Sequence, residues 1–323
     1  MDILSDVLRV IRFSGVIHLK TEFTAPWSIE SASGANLADL FQSHTQRIIP
    51  FHILAEGKCW AKTNPDLKQA LEVGDIVIFP QGNSHILADQ LDREPIPFYQ
   101  LLSHLLPTSP WDQLPILKCG GGGVPTQLVC GYLQYDELIF NPLLKNLPAL
   151  MHVKAFSAPA TPMLETGVRY ILQETTNIQP GSLCLLTRIV ELMFVEILRT
   201  HMRCLPETQM GWLTALNDPM IGQVLNWFHA EPTYPWTVTE LAKRLRLSRS
   251  ALAARFTQLL GQPPMQYLAQ WRLQLASSYL QSTNDGLAKI ATQVGYESEA
   301  AFSRAFKRYV GQSPGTWRNR KVQ

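Results

Sequence analysis

The last hundred residues contain a pattern that occurs twice, about fifty residues apart, and this repeat constrains the fold more than any other feature of the chain. In the first copy Thr237 and Glu240 form a capping box, which predicts the start of a short helix. A tight turn then leads to Ser248, which is placed to cap a second helix. Ser298 has the equivalent position in the second copy. Each copy therefore predicts a short helix, a tight turn and a second helix.

The two copies differ in the turn between their helices. The second copy has Gly295 where a residue with positive φ is expected, whereas the first copy has Arg246 there. We expect the left-handed conformation to cost Arg246 roughly 1 kcal/mol. Between the copies the sequence predicts a long helix over 264–282, which would hold the two units at a fixed separation.

Charge is unevenly distributed along the chain. Residues 1–211 contain 15 Lys and Arg against 20 Asp and Glu, whereas residues 212–323 contain 13 against 6, so the net charges are −5 and +7. A basic C-terminal part beside an acidic N-terminal part indicates a polyanion as the partner of the former. For DNA, a fixed separation of two reading units matters because successive major grooves on one face recur every ~34 Å.

Particular residues within and around the two copies make the pattern specific. In the second copy they are Ile290-Ala291, Gly295-Tyr296-Glu297-Ser298, the run 302–308, Gly311, Ser313-Pro314 and Trp317-Arg318. In the first copy and the long helix they are Leu241-Ala242, Ser248-Arg249, Arg255-Phe256, Gly261, Pro264, Tyr267-Leu268 and Trp271-Arg272. Over 220–320 this set resembles the AraC/XylS family of transcription regulators. The resemblance implies two helix-turn-helix units, about 237–257 and 287–308, that bind double-stranded promoter DNA in a sequence-specific way.

The resemblance also implies which side chains contact DNA, since a recognition helix reads base edges with its first two turns. The implied contacts are Arg249, Ser250, Ala253 and Ala254 in the first unit, and Glu299, Ala300, Ser303, Arg304, Lys307 and Arg308 in the second. Alanines offer only methyl contact to thymine. Arg304 is expected to bind guanine through two hydrogen bonds, worth about 1–3 kcal/mol of discrimination, with Lys307 and Arg308 on phosphates. Glu299 either accepts from a cytosine amine or repels phosphate.

The N-terminal part has a different character. Short β-forming runs separated by turn signals fill the first ~100 residues and predict a sandwich or barrel. The segment 74–85 reads Gly-x5-Pro-x-Gly-x2-His, ending at His85, and resembles the second cupin motif. From about 162 apolar stripes with a helical period follow, which indicate interdomain or dimerisation helices, although packing into a core would explain the same stripes. The whole chain is therefore similar to regulators in which a cupin-like sensor precedes an AraC-type DNA-binding domain.

These patterns predict an α+β chain of two domains, an N-terminal cupin-like β-barrel followed by helices and then an all-α C-terminal domain. We assign effector sensing to 1–150, an interdomain or dimerisation segment and linker to 151–211, and DNA binding to 212–323. The effector is a small molecule or a redox signal. By resemblance the chain contacts RNA polymerase; activation is the commoner outcome, and repression is equally compatible with these residues.

The candidate sensing residues are His52, His85, Cys119 and Cys130. Metal-binding cupins take two histidines and a carboxylate from an earlier segment, and His44, His52 and Glu56 do not have that spacing. Because catalytic metal sites usually need three protein ligands, we predict no metal and no cofactor. Cys119 and Cys130 flank a run of four glycines, interpreted as a flexible connection. A redox role for these thiols would need exposure and a lowered pKa.

Other functions stay open at this point. A cupin-type metal enzyme fused to a DNA-binding domain would need a complete set of ligands. An architectural DNA binder would bind with strong salt dependence but without sequence preference. The acidic N-terminus does not resemble a signal peptide, and the sequence has no run of ~18 apolar residues, so we expect a cytoplasmic protein. A homodimer through 162–204 is compatible with the apolar stripes.

Overall fold

The computed structural model describes residues 2–40, 47–63, 67–102, 114–136, 138–206 and 209–319. The chain folds into two compact units, each formed from segments that are separated in the sequence. The β unit contains Phe13–Glu137 and Leu147–Cys204. The helical unit contains Met1–Arg12, Leu138–Asn146 and Leu205–Gln323.

The β unit contains two sheets. Its strands are β1 (Ser14–Thr24), β2 (Ser28–Ser31), β3 (Ile48–Glu56), β4 (Cys59–Lys62), β5 (Lys68–Leu71), β6 (Asp75–Ile78), β7 (His85–Ala88), β8 (Ile96–Pro97), β9 (Ile116–Gly120), β10 (Pro125–Gln134) and β11 (Met151–Lys154). Its helices are α2 (Gly34–Leu40), α3 (Phe98–Leu102), α4 (Pro162–Glu174) and α5 (Ser182–Cys204). One sheet has the strand order β11-β6-β3-β10-β1-β9 and the other β5-β4-β7-β2-β8.

The six-stranded sheet is the middle layer of three. One face shares an apolar core with the five-stranded sheet, and the other packs against α4 and α5. Because β3 is covered on both faces, seven consecutive residues from Ile48 are buried, which explains its continuous apolar sequence. Gly15 allows α5 to approach β1 closely, since a Cβ on Gly15 would lie 2.7 Å from Cβ of Val190.

The strand pairing differs from a closed barrel. Within the described ranges the two sheets are not joined by strand pairing, so they form a sandwich. Alternation of inward and outward residues is the same in both architectures, and the sequence therefore does not distinguish them. The α+β class and the order of a β-rich cupin-like domain before a helical domain are confirmed.

The glycine run is a hydrogen-bonded turn between β9 and β10 rather than a flexible connection. The N–H of Gly122 donates to Oγ1 of Thr24 at 2.9 Å, and the N–H of Gly123 donates to the carbonyl of Ala25 at 2.8 Å. These partners lie almost one hundred residues away in the sequence, so the local composition does not reveal them.

The helical unit consists of α1 and the C-terminal helices. They are α1 (Ile3–Ile11), α6 (Trp212–Asn217), α7 (Ile221–Ala230), α8 (Val238–Leu245), α9 (Arg249–Leu260), α10 (Pro264–Ser282), α11 (Leu287–Gln293), α12 (Glu299–Val310) and α13 (Pro314–Arg318). No helix in the described part of the chain combines the length and apolar character needed to cross a bilayer.

Two segments from the first half of the chain complete the helical unit. Helix α1 packs against α7. In the segment 138–146, the N–H of Phe140 donates to Oε1 of Gln274 at 2.9 Å, and the Phe140 ring meets Tyr267 edge-on at 5.1 Å. The boundaries of the two compact units therefore differ from the domain boundaries at 150 and 211 that we assigned from the sequence. The reason is that α1 and the segment 138–146 bury apolar side chains against the C-terminal helices.

Candidate DNA interface and sensing site

The first helix-turn-helix unit consists of α8 and α9. Oγ1 of Thr237 accepts from the N–H of Glu240 at 3.1 Å, and Oγ of Ser248 accepts from the N–H of Ala251 at 3.1 Å. Both helices thus begin at side-chain caps. Arg246 in the turn has φ 56°. The two predicted caps and the left-handed Arg246 are confirmed; of the predicted capping box the Thr237 bond forms, while the carboxylate of Glu240 accepts from Nε of Arg244 at 2.9 Å.

The second unit, α11 and α12, repeats this arrangement with one difference. Oγ of Ser298 accepts from the N–H of Ala301 at 3.2 Å, and Gly295 in the turn has φ 85°. Helix α11 begins after Gly286 without a side-chain cap, unlike α8 after Thr237. The stability of α11 therefore depends more on packing against neighbouring helices than on a side-chain cap at its N-terminus.

Buried side chains determine which face of each second helix is turned outward. Leu252 and Phe256 of α9 are fully buried, as are Phe302 and Phe306 of α12. In both helices the pair is four residues apart, so it occupies one face. The opposite face is left toward solvent.

The predicted DNA contacts lie on these outward faces. Those on exposed positions are Arg249, Ser250, Ala254, Glu299, Ala300, Arg304, Lys307 and Arg308, and Ala253 and Ser303 are partly exposed. Since the caps at Ser248 and Ser298 directly precede the helices, most of these side chains occupy the first two turns. Their contact with DNA stays a prediction.

The outward faces of the two helices carry different charges. Arg249 stands at the start of α9, whereas Arg255 is engaged by Asp218, with Nε 2.9 Å from Oδ2. Arg255 therefore connects α9 to the residues before α7. Helix α12 starts with Glu299, which the positive end of the helix dipole favours, and has Lys307 and Arg308 in its last turn.

Three of the four sensing candidates meet in the core of the β unit. Nε2 of His52 lies 2.7 Å from Nε2 of His85, and Nδ1 of His52 lies 3.0 Å from Sγ of Cys130. Nδ1 of His85 lies 3.1 Å from the carbonyl oxygen of Asn83. The pairing of β3 with β10 sets His52 opposite Cys130. All three side chains are buried.

The hydrogen bonds determine which nitrogen of each imidazole in this group carries a proton. The Asn83 carbonyl only accepts, so His85 donates from Nδ1 and, when neutral, accepts at Nε2. His52 then donates from Nε2 to His85 and accepts at Nδ1 from the thiol of Cys130.

Burial keeps the side chains of His52, His85 and Cys130 uncharged. It lowers the pKa of His85 to about 4, and burial together with His85 and His18 lowers the pKa of His52 well below its ordinary value. Burial also raises the pKa of the Cys130 thiol. Near neutral pH the group therefore offers one thiol and two neutral imidazoles.

His52 and Cys130 of this group also line a cavity of about 40 Å³ between the two sheets. Its walls are mainly apolar, and its polar lining includes His18, His52, Cys130 and Tyr132. A space of this size holds a few water molecules or part of a small ligand. Sequence reasoning missed His18, which stands at a bulge in β1 that directs both His18 and Leu19 toward the cavity.

Cys119, the fourth sensing candidate, is not part of the group formed by His52, His85 and Cys130. Cys119 lies on β9, is partly buried, and has a pKa raised by burial. Neither Cys119 nor Cys130 therefore has the low pKa of a reactive thiol.

Among the residues that the structure describes, no three His, Cys, Asp or Glu side chains are grouped to hold a metal ion. His44 lies outside the described residues.

A β-sandwich with a partly polar cavity, combined with two helix-turn-helix units, defines the class of DNA-binding transcription regulators. The sequence matches a cupin family over residues 2–203 and a helix-turn-helix domain over 241–320. It is 31% identical over 319 residues to an AraC-like transcription regulator of Streptomyces antibioticus, covering 98% of each chain. It is 29% identical over 320 residues to the HTH-type transcriptional regulator AlkR of Acinetobacter baylyi, covering 98% and 99%. It is 26% identical over 330 residues to the RCS-specific HTH-type transcriptional activator RclR of Escherichia coli, covering 100% and 99%.

The chain belongs to the AraC-like family of DNA-binding transcription regulators, with an N-terminal cupin domain. The predicted resemblance is confirmed over the full length. Because the full-length relatives are regulators, the chain is a regulator and not an enzyme, which removes the alternative of a cupin-type metal enzyme fused to a DNA-binding domain.

Proposed function

We propose that this regulator recognises a specific promoter sequence by inserting α9 and α12 into successive major grooves. The observation that carries the proposal is the exposure of the predicted readers in the first turns of two capped helices whose opposite faces are buried. The excess of basic over acidic residues after 211 supports it, because phosphate neutralisation supplies much of the affinity for DNA. Since promoter DNA is the partner, we expect the protein to act in the cytoplasm.

The chemistry of the outward faces suggests unequal roles for the two helices. Helix α9 presents Ser250, Ala253 and Ala254, which offer one hydroxyl and two methyl groups. Helix α12 presents Glu299 and Arg304, whose hydrogen bonds are charged and directional. We therefore assign most of the discrimination between bases to the half-site bound by α12.

Replacing Arg304 with Ala tests the proposal most directly. We expect affinity for the selected operator to fall about fivefold to 150-fold, since a two-hydrogen-bond contact to guanine is worth about 1–3 kcal/mol. Discrimination at one base pair should be relaxed at the same time. Footprinting and titration at fixed salt, with an operator selected from random DNA, measure both effects.

Lys307→Ala is the matched control, because Lys307 is an exposed cation on the same helix, one turn further on. As a phosphate contact it should weaken binding to all sequences alike and reduce the slope of affinity against salt by about one. If Arg304→Ala behaved in the same way, α12 would not read bases there. A wild type without any preferred sequence would favour the architectural alternative instead.

We propose activation as the outcome of binding, through contact with RNA polymerase. The relative RclR is named an activator, and this name is the observation in favour. Transcription from the selected operator with purified polymerase, with and without the regulator, gives the sign. A decrease in transcript would assign repression.

We propose that the cavity between the sheets binds the effector. Its apolar walls and the uncharged side chains of His52 and Cys130 suit a small neutral molecule that exchanges hydrogen bonds with an imidazole or a thiol. A charged effector would lose its hydration without finding an opposite charge there. Screening neutral and charged compounds for a change in operator affinity tests this assignment.

A redox signal at Cys119 and Cys130 is the second candidate for the input. The hydrogen bond between the Cys130 thiol and His52 favours it, whereas the raised pKa of both thiols opposes it. Operator affinity measured before and after hydrogen peroxide separates the two candidates. A response that persists after both cysteines are replaced with Ser would exclude these thiols.

We propose that α5 pairs with α5 of a second copy in an antiparallel homodimer. Leu185 and Leu192, seven residues apart on this helix, are 49% and 57% exposed. In an antiparallel pair centred on Leu192, the Leu192 side chains of the two copies meet, so the apolar part of this face is complementary to itself.

Leu192→Asp is expected to shift the regulator from dimer to monomer, because it places two like charges at the centre of the proposed interface. Light scattering over a range of concentrations measures the molar mass. Leu183→Asp is the matched control, since Leu183 is equally exposed but lies at the end of α5. A monomeric wild type would contradict the proposal.

A further inference from the structure

Arg272 stands near the middle of α10, the helix that carries both helix-turn-helix units. The first half of this helix carries Tyr267, whose ring meets Phe256 of the first unit at 5.9 Å. The second half carries Leu273 and Leu280, which belong to the core of the second unit. The apolar core of each unit thus lies on its own half of the helix, and Arg272 lies between the halves.

The guanidinium of Arg272 holds the loop that precedes the first unit. Its Nε donates to the carbonyl of Pro232 at 2.6 Å, and its Nη2 donates to the carbonyl of Tyr234 at 2.9 Å. The same loop is fastened to α8 from the other side, because the guanidinium of Arg244 lies 4.6 Å from the centre of the Trp236 ring. Arg272 is therefore connected to the first unit through a short and well-packed loop.

The turn of the second unit lies against the same guanidinium. A Cβ on Gly295 would stand 3.0 Å from Cζ of Arg272 and 2.8 Å from Cα of Thr233. The absence of a side chain at Gly295 thus serves two purposes, since it permits φ 85° and also the approach of the turn to the loop of the first unit. Thr233 and Gly295 belong to the two different helix-turn-helix regions, so this is a direct contact between them.

The connection between α10 and α11 does not by itself fix the orientation of the second helix-turn-helix unit. Only residues 283–286 join the two helices, and α11 starts after Gly286 without a side-chain cap. A glycine at this place permits rotation of the second unit about the connection. The bridge formed by Arg272, the 232–234 loop and the Gly295 turn opposes such a rotation.

From this geometry we infer that Arg272 is a positioning residue that sets the angle and distance between the two recognition helices, and through them the spacing of half-sites that the regulator accepts. The inference rests on the proposed sequence-specific binding through α9 and α12. One extra base pair between half-sites turns the second by about 34° and shifts it by about 3.4 Å, given the ~10.5 base pairs of a helical turn. A rigid pair of units detects that change, and a loosened pair follows it.

The experiment compares Arg272→Leu with wild type in the full-length protein, on the selected operator, on operators with one base pair inserted or deleted between half-sites, and on single half-sites. We expect wild type to lose about tenfold or more in affinity when the spacing changes, because one unit loses its base contacts. Arg272→Leu should bind the altered operators within about threefold of the original and bind single half-sites as wild type does. Arg272→Lys, which keeps the charge but not the two-pronged donor, should lie between them.

The matched control is Arg255→Leu, which removes an arginine that is engaged within one region, by Asp218, and does not connect the two units. It should keep the wild-type dependence on spacing. If the Arg272 variants bound all DNAs more weakly in equal proportion, Arg272 would be structural and the inference overturned. Should Arg272→Leu fail to fold, the ratio measured with Arg272→Lys decides between the same results. A wild type without a preferred sequence would instead refute the proposed function.

Discussion

Replacing Phe140 with Ala is expected to destabilise the helical unit by about 3–5 kcal/mol, the usual loss for a buried phenylalanine. Phe140 is 7% exposed, lies edge-on to Tyr267, and donates its N–H to Gln274 of the same helix. The loss should therefore be felt along α10, which carries both helix-turn-helix units. Hydrogen exchange of the α10 amides, with denaturant unfolding monitored in parallel, measures it.

Phe156→Ala is the control for this experiment. Phe156 is 38% exposed, lies in the β unit, and has the guanidinium of Arg169 4.6 Å from the centre of its ring. Its loss should cost about 1 kcal/mol and leave exchange in α10 unchanged. Unchanged protection of α10 in Phe140→Ala would contradict the assignment of 138–146 to the helical unit.

The second large effect is a loss of stability of the β unit under mild acid. Burial lowers the pKa of His85 from 6.5 to about 4 and that of His18 to about 3. The unfolded chain therefore takes up protons below pH 6.5 that the folded unit refuses, so stability is retained above pH 6.5 and lost as pH falls toward these lowered values. By linkage His85 alone contributes a loss of about 2 kcal/mol between pH 7 and 5.

Hydrogen exchange of the β10 amides between pH 7.5 and 5, corrected for the intrinsic effect of pH, measures this loss. His85→Gln removes one of the titrating groups. The free energy of unfolding should then depend less steeply on pH, by the contribution of one proton, whatever the effect of the substitution on stability at neutral pH. A wild type equally stable at pH 7 and pH 5 would show that these imidazoles are not held neutral. Since His18 lines the proposed effector cavity and His85 is hydrogen-bonded to His52, which also lines it, effector affinity should be compared only within one pH.

The helix-turn-helix units show how far local sequence reaches. The caps at Thr237, Ser248 and Ser298 and the left-handed turns at Arg246 and Gly295 follow from interactions within a few residues, which a sequence displays directly. The outward faces of α9 and α12 follow as well, because buried aromatic residues at helical spacing define the opposite face.

The sensing site was predictable only in part. His52, His85 and Cys130 were recognisable as candidates by residue type and by the cupin-like motif, but their hydrogen bonds join residues 33 and 78 positions apart. Cys119 was proposed on equal grounds, yet it is not part of that group. His18 could not be found from alternation, because a bulge changes which way a strand residue points.

By itself, the sequence determined the family, the α+β class, the order of a β-rich part before a helical part, and the two capped units with their outward faces. All of these depend on periodicity, helix ends and ordered motifs. The tertiary structure alone decided that the strands form two sheets, that 138–146 completes the helical unit, that Arg272 bridges the two units, and that two imidazoles and a thiol share their protons. These depend on contacts between distant residues, and such contacts exist only once the chain has packed and its polar groups have been removed from water.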